Sequence, residues 1–222
     1  MDALRQFPLG AAWPDSPHAV VSCLPTMADV RGYEEKEPRV MAALQSGYPR
    51  FVRHRFVADL LKFYLKRSGL TGVEAALVVG RRAAEDLRHH LSCLGGIGVS
   101  LQPADAPVYL VHCPQENPVA PALRRFVQHT GCGISSRQAE DLLLKHGLRN
   151  DRFVEETCEG HALSQVEGEL AVRMGCRQRD VLVCASGMNA FYAGFRAVQD
   201  FQRTRNRHRW VQLGWLYLDS GK

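Results

Sequence analysis

The sequence is poor in lysine and has no long apolar run. Only five of its 28 basic residues are lysines; the rest are arginines. No apolar run approaches the roughly 20 residues that a membrane-spanning helix needs, so no membrane association is expected. The N-terminus has no positive region followed by an apolar stretch, which argues against a secretory signal. A cytoplasmic location is therefore predicted.

The sequence also lacks paired cysteines. Its seven cysteines are scattered, and none lies in a C-x-x-C pair. An odd number of widely spaced cysteines, in a chain without a signal, predicts reduced thiols rather than a disulfide framework. Neither paired Cys nor paired Cys/His spacing occurs, so no metal site is predicted.

The composition is that of a soluble globular protein, with 45% hydrophobic and 23% charged residues in a chain of 222. This length suffices for one large domain or two small ones. The net charge of +5 includes a dense arginine run between Arg203 and Arg209. We interpret the run as a solvated connection between a helix and a strand, because it lacks interleaved aromatics and a recognisable nucleic-acid module. No nucleic-acid partner is expected, and DNA binding remains a distant alternative.

The spacing of apolar residues and the positions of proline, glycine and capping residues predict a mixture of helices and strands. Residues 1–36 are predicted to be irregular because four prolines interrupt them. A capping box, Ser135-Ser-Arg-Gln138, marks the start of one helix. The predicted helices span 38–46, 55–67, 81–93, 118–129 and 136–146, and the predicted strands span 74–80, 97–101 and 108–113.

The last third of the chain has the clearest pattern. Apolar residues recur at helical spacing and end at Gly175: Leu163, Val166, Leu170 and Met174. A buried-strand pattern over 180–185 is followed by a tight turn, a helix with Phe191, Phe195 and Val198 on one face, and a strand over 210–214. This succession is typical of an α/β domain with a parallel sheet.

The turn between the first of these strands and its helix is a candidate anion site. It consists of Ser186, Gly187 and Met188. A helix N-terminus presents backbone N–H groups and the positive end of the dipole, and glycine allows close approach by a phosphate. The alternative is a small-residue turn that only packs the helix on the strand.

Two further segments carry candidate ligand-binding side chains. Tyr48 and Arg50 lie in the proline-stiffened stretch Gly47–Phe51, where the planar guanidinium suits an anion. Tyr217 follows a predicted strand, at the end of which α/β domains bind ligands, and its ring could stack on a planar cofactor. The alternatives are a solvated arginine and tyrosines that belong to the core.

Together, four stretches resemble the cystathionine γ-synthase group of pyridoxal-phosphate enzymes, particularly its long fungal-type members. Gly47–Phe51 is similar to that group's Tyr-x-Arg motif, and Ser186-Gly-Met188, with 214–220, to the start of its cofactor domain. Residues 18–26, with 32–35, resemble the entry segment of the long form. The stretch Thr130-Gly-Cys-Gly-Ile-Ser-Ser-Arg137, with Ala139-Glu140, resembles a segment from the middle of that form.

The resemblance implies roles for individual residues. Ser186 and the amides of Gly187 and Met188 would hold the cofactor phosphate. Tyr217 would stack on the pyridine ring and act in proton transfer, as the catalytic residue. Tyr48 and Arg50 would reach the phosphate in the neighbouring subunit's site, which implies a homodimer or homotetramer acting on amino-acid substrates.

The resemblance also implies a domain arrangement. Residues 156–222 would begin a fold-type I pyridoxal-phosphate transferase domain that is incomplete in this chain. An N-terminal arm with helices would span 1–69, and an inserted α/β subdomain would span 70–155. The sequence departs from the family pattern at Leu216, where proline is usual, and at Ser220, where threonine is usual and serine preserves the hydroxyl.

The family's Schiff-base lysine has no counterpart in this sequence. Lys222 follows Asp219-Ser-Gly, which is not the setting of that lysine. The resemblance implies γ-replacement on an activated homoserine ester by cysteine in the complete protein, with a related γ-lyase or sulfhydrylase reaction as alternatives. This chain alone is expected to bind cofactor poorly and to be inactive. A rival hypothesis is a non-catalytic binding or regulatory module derived from the same fold.

Overall fold

The computed structural model describes residues 7–44, 47 and 52–215. These residues form two units, one within 7–128 and 133–153 and the other comprising 129–132 and 154–215. The chain is mixed α/β, as predicted. The fold-type I assignment and the predicted domain boundaries stay predictions. Among the described residues, no helix has both the length and the apolar character to cross a membrane.

The N-terminal segment is more regular than predicted. Strands β1 (Ala12–Trp13) and β2 (Val21–Ser22) pair antiparallel, and helices α1 (Met27–Glu34) and α2 (Pro38–Ala43) follow. The prediction of an irregular stretch was wrong at α1, because the interrupting prolines all precede its N-cap. That N-cap is Thr26, which forms a reciprocal capping box with Asp29.

A three-stranded antiparallel sheet organises the first unit. Its order is β3 (Val73–Val79), β5 (Val108–Pro114) and β4 (Ser100–Pro103). All three strands were predicted, although β4 begins later than expected. β3 is central to the core because its five middle residues are all buried. Side chains therefore have to cover both of its faces.

Four helices accompany the sheet: α3 (Arg55–Arg67), α4 (Arg81–Cys93), α5 (Ala120–Thr130) and α6 (Ser136–Lys145). The observed bounds of α3 and α4 equal the predicted ones. The serine half of the predicted capping box is present, since Ser135 Oγ accepts a hydrogen bond from the Gln138 N–H at 3.1 Å. Helices α3 and α6 pack on one face of the sheet and form one apolar cluster with it: Phe56, Leu60, Leu61, Tyr64, Ala75, Leu77, Val108, Leu110, Ile134, Ala139 and Leu143.

The alternate residues of β3 and β5 form the other buried face. Helix α4 contacts β3, β4 and β5, and Leu87 and Leu91 on this helix are fully buried. On this second face of the sheet, Glu74 of β3 accepts two hydrogen bonds from the Arg124 guanidinium of α5, at 2.8 and 2.6 Å. The sheet is thus buried on both sides. The buried apolar residues on this second face are Ala76, Val78, Val111 and Cys113.

The second unit is helical over its described residues. It contains α7 (Ala162–Met174), a 3₁₀ turn (Gln178–Asp180) and α8 (Gly187–Arg203). Gly175 ends α7 in the left-handed conformation, as predicted. The strands predicted over 180–185 and 210–214 were wrong, because neither segment pairs with another strand among the described residues.

The physical reason is that a β-prone run becomes a strand only when it finds a hydrogen-bonding neighbour. The described part of the second unit offers none, and the side chains of Leu182 and Val211 remain 85% and 80% exposed. The predicted helical stripes do form. However, their apolar residues stay partly exposed in this unit, including Leu163, Val166, Leu170, Phe191 and Val198.

Candidate functional site

Ser186 forms the N-cap of α8, as the turn pattern predicted. Its backbone is extended, and its Oγ accepts a hydrogen bond from the Asn189 N–H at 3.1 Å. Its carbonyl oxygen accepts the first helical hydrogen bond, from the Ala190 N–H at 2.9 Å. The serine hydroxyl therefore fixes the shape of the first turn of a helix of 17 residues.

The amides of Gly187 and Met188 are available to a ligand. Neither N–H has an acceptor among the described residues, as expected in the first turn of a helix. A Cβ atom added at Gly187 would have no neighbour within 4 Å, so the space beside this backbone is open. No acidic residue lies in the first turn. The end of α8 can thus receive an oxyanion at its positive dipole.

The segment 129–132 packs within the same unit against this turn. Gly131 adopts φ +61, and a Cβ atom at its position would lie 2.6 Å from Ser186 Oγ and 3.1 Å from the Asn189 nitrogen. Its neighbours Thr130 and Cys132 are buried, and the Thr130 hydroxyl donates to Cys132 Sγ at 3.0 Å. The structure therefore brings together two of the stretches that carry the resemblance.

A second cluster joins two other resemblance segments inside the first unit. The His18 ring lies between Ser136 Oγ, 3.0 Å from Nδ1, and Glu140 Oε2, 3.1 Å from Nε2. The side chains of His18 and Glu140 are only 1% and 3% exposed. His18 belongs to the entry segment, whereas Ser136 and Glu140 both lie in α6.

Glu140 has further partners that occupy its carboxylate. One oxygen accepts from the Phe153 N–H at 3.2 Å and lies 3.3 Å from the Arg149 guanidinium. The His54 ring stacks on the His18 ring, with 6.1 Å between the two ring centroids. The Nε2 atom of His54 lies 2.5 Å from the Pro17 carbonyl oxygen. A carboxylate with this many partners in a buried setting anchors structure rather than reaching a substrate. The cluster ties the N-terminal segment to α6.

Three of the predicted site residues, Tyr48, Arg50 and Tyr217, lie outside the described residues, so their roles stay predictions. The lysines at 36, 62, 66 and 145 all belong to the first unit, and residues 154–215 contain no lysine. Among the described residues, no group of three His, Cys, Asp or Glu side chains is placed to hold a metal ion.

Reasoning from the sequence missed two features of these clusters. The contact between Gly131 and Ser186 joins residues far apart in the chain, and no spacing rule indicates it. The His18–Glu140 pair was equally hidden. Its only signal was that both residues lie in stretches of the recognised resemblance.

The chain is similar in sequence to several known enzymes. It is 34% identical over 208 residues to an L-2-amino-4-chloropent-4-enoate dechlorinase/desaturase of Streptantibioticus cattleyicolor, covering 93% of this chain and 41% of the relative. It is 24% identical over 173 residues to a Saccharomyces cerevisiae cystathionine γ-synthase, covering 70% of this chain and 27% of the relative. A Neurospora crassa cystathionine γ-synthase is 28% identical over 179 residues, covering 69% and 28%.

The chain spans less than half the length of these curated relatives. No family model matches the chain. No solved structure matches it either. The predicted resemblance is confirmed, and the chain is homologous to cystathionine γ-synthases and to related enzymes over part of their length.

Proposed function

We propose that the chain is part of a pyridoxal-phosphate enzyme of the cystathionine γ-synthase group. The complete protein would carry out γ-replacement on an activated homoserine ester by cysteine. The observation that carries the proposal is the similarity to enzymes of this kind, which extends over 93% of the chain in one case. Oligomerisation as a homodimer or homotetramer and a cytoplasmic location are part of the same proposal.

The first turn of α8 fits the phosphate group of this cofactor. The space beside Gly187 is open, and the amides of Gly187 and Met188 are without acceptors among the described residues. Both amides would donate hydrogen bonds to phosphate oxygens. The Ser186 hydroxyl would keep the turn in its binding shape, because it already accepts from the Asn189 N–H.

The remaining site residues enter the proposal through the resemblance. Tyr217 would stack on the pyridine ring and hold or move a proton at the substrate. Tyr48 and Arg50 would reach the phosphate of the neighbouring subunit. The cofactor, when bound, withdraws electron density from the carbon atoms of an attached amino acid. This chain's contribution to that chemistry is binding and orientation.

The substrate class can be argued from the relatives' names. In 2-amino-4-chloropent-4-enoate the chlorine is on the fourth carbon, which is the γ carbon. An activated homoserine ester also has its leaving group on the γ carbon. We therefore propose an L-α-amino acid with a γ leaving group as the substrate. The γ-lyase and sulfhydrylase alternatives use the same class and differ in the step after that group has left.

Two observations support the proposal that this chain is a portion of a longer enzyme. The relatives are more than twice as long as the aligned region. In addition, the apolar stripes of α7 and α8 are partly exposed in the second unit. The rival hypothesis of a non-catalytic module is favoured by the absence of lysine from residues 154–215.

The cofactor proposal is tested by mixing the purified chain with pyridoxal phosphate and recording its absorbance. The mixture is then reduced with borohydride, and the intact mass is measured. We expect no stoichiometric, site-specific lysine adduct, because the proposal places the reactive lysine in the missing portion. A single lysine modified to completion would show that one of the five lysines already present carries the cofactor. That result would contradict the proposal that this chain is a fragment without the reactive lysine.

The reaction is tested on the longer polypeptide that the proposal requires. Release of the γ leaving group from a homoserine ester is measured with and without cysteine. A thioether product with cysteine supports γ-replacement, whereas a keto acid formed at the same rate without cysteine supports the lyase alternative. No turnover by a folded longer polypeptide would favour the non-catalytic module.

A further inference from the structure

We propose that Gly131 is a positioning residue for the phosphate-binding turn of α8. This inference rests on the proposed function, since it concerns the site offered to the cofactor phosphate. Gly131 does not need to touch the phosphate. It acts through Ser186, whose hydroxyl oxygen would lie 2.6 Å from a Cβ atom added at Gly131.

Two independent constraints require glycine at this position. Its φ of +61 lies in the left-handed region, which residues with a side chain rarely adopt. The space is also occupied, because the added Cβ would lie 2.6 Å from Ser186 Oγ and 3.1 Å from the Asn189 nitrogen, both closer than an ordinary van der Waals contact. A side chain here would therefore have to push the Ser186 hydroxyl aside and to shift the backbone at Asn189 slightly, and both residues belong to the start of α8.

The other positive-φ glycines described in this unit do not share the second constraint. Gly160, Gly175 and Gly214 have φ values of +88, +63 and +82, and an added Cβ at each would have no neighbour within 4 Å. Strain is therefore common to these glycines, whereas crowding against the candidate phosphate turn is specific to Gly131. This difference supplies a matched control.

The consequence for phosphate follows from the cap. Ser186 Oγ holds the Asn189 N–H at 3.1 Å, and this bond sets the orientation of the two amides that precede Asn189 in the turn. A methyl group at Gly131 would push Ser186 Oγ away from its position. The cap would then break, and the amides of Gly187 and Met188 would no longer converge on one oxyanion.

The test uses the full 222-residue chain, labelled with ¹⁵N and titrated with inorganic phosphate. In the wild type we expect saturable shifts of the Gly187 and Met188 amide signals. In Gly131→Ala we expect about tenfold weaker binding and faster hydrogen exchange of the Asn189 amide. Gly175→Ala carries the same backbone strain without the crowding, and it should keep wild-type affinity and wild-type Asn189 exchange.

A second pair of variants separates positioning from general damage. Ser186→Ala removes the oxygen nearest to the added methyl group. The double variant Gly131→Ala/Ser186→Ala should therefore bind phosphate within about twofold of Ser186→Ala alone. Unchanged amide signals in the middle of α7 verify that the second unit, which contains the substituted residues, is folded in each variant.

The inference is overturned if Gly131→Ala keeps both wild-type phosphate affinity and wild-type exchange at Asn189. It is also overturned if Gly175→Ala loses as much affinity as Gly131→Ala, since strain would then explain the effect. If the wild type shows no phosphate-dependent shift at Gly187 and Met188, the proposed phosphate site fails. The exchange rate of Asn189 in Gly131→Ala still decides whether Gly131 positions the turn.

Discussion

Asp105 joins three parts of the first unit through one carboxylate. It accepts hydrogen bonds from the Tyr64 hydroxyl at 2.7 Å and from Lys145 Nζ at 2.5 Å, and it lies 2.8 Å from His146 Nε2. Burial acts to raise the pKa of Asp105, but the hydrogen bonds from Lys145 and Tyr64 and the nearby His146 lower it well below its usual range. The ionised carboxylate is therefore part of the folded state.

This pKa shift predicts how stability depends on pH. The folded-state pKa of Asp105 is below its unfolded value of about 4, so its contribution is fully present above that pH and is lost as pH falls toward the folded pKa. Asp105→Asn should lower the free energy of unfolding by about 2 kcal/mol at pH 7. The difference from wild type should shrink below about pH 4.

Urea unfolding at pH 7 and at lower pH measures this effect. Asp59→Asn is the control, because Asp59 is 58% exposed and its ion pair is with the exposed Lys62, at 3.5 Å. A difference between Asp105→Asn and wild type that stays constant across the acid range would show that ionisation of Asp105 is not the cause.

Glu140 leads to a separate prediction about the N-terminal segment. Glu140→Ala leaves buried donors without their acceptor, among them the Phe153 N–H, and it removes the partner of His18. We expect a loss of about 3 kcal/mol in the free energy of unfolding, together with faster protease cleavage within 7–44. Urea unfolding and mass mapping of the early cleavage products measure the two effects.

The exposed Glu116 provides the matching control, Glu116→Ala, which should be close to wild type. The Glu140→Ala variant lacks the carboxylate that contacts His18. If it nevertheless unfolds with wild-type stability, the cluster does not anchor the N-terminal segment.

At the scale of elements, the sequence predicted those structures whose causes are local. The bounds of α3 were predicted from an apolar stripe within the helix and a stop signal, Gly69, directly after it. Helix α1 was missed although its capping pair, Thr26 and Asp29, is also local, because the prolines before it dominated the interpretation. The cap at Ser186 was predictable for the same reason as α3.

Strands and contacts between distant segments depend on partners that no local pattern contains. The run over 180–185 has the composition of a buried strand, yet its conformation depends on a neighbour outside the run. The contact of Gly131 with Ser186 is of the same kind. Consequently the sequence indicated the candidate anion site but not the backbone that packs against it.

Hydrogen exchange should separate these two kinds of element. Backbone amides in 181–185 and 210–214 are expected to exchange almost as fast as in an unfolded peptide, because they lack ladder hydrogen bonds among the described residues. The amides of β5 should be protected, since this strand is bonded on both sides. Exchange followed by mass spectrometry measures both. Strong protection over 181–185 in a dilute sample would contradict the observed absence of pairing.

At the scale of the whole molecule, burial is distributed very unequally. All but two of the buried apolar residues described lie in the first unit, and the exceptions are Cys132 and Ala171. Helix α8 has no buried residue. Because burial of apolar surface is the main favourable contribution to folding, the second unit should be the less stable of the two.

Limited proteolysis tests this difference directly. Trypsin should cleave first after exposed arginines of the second unit, such as Arg173, Arg179 and Arg203, and leave a resistant product that contains the sheet. Mass measurement of the early products identifies the sites. Cleavage of the β3–β5 region at a comparable rate would contradict the expected order of stability. For the Gly131→Ala variant, cleavage of the first unit at the wild-type rate would show that this unit is still folded.

The junction at Asp105 has a consequence for the entropy of the chain. Tyr64 and His146 each lie 41 residues from Asp105 along the sequence. The carboxylate thus acts as a reversible cross-link that divides one long loop into two equal ones. Closing a loop of half the length costs about 0.6 kcal/mol less in conformational entropy. Once Asp105 holds Tyr64, the contact with His146 therefore has to close a loop of only half the length that separates Tyr64 from His146.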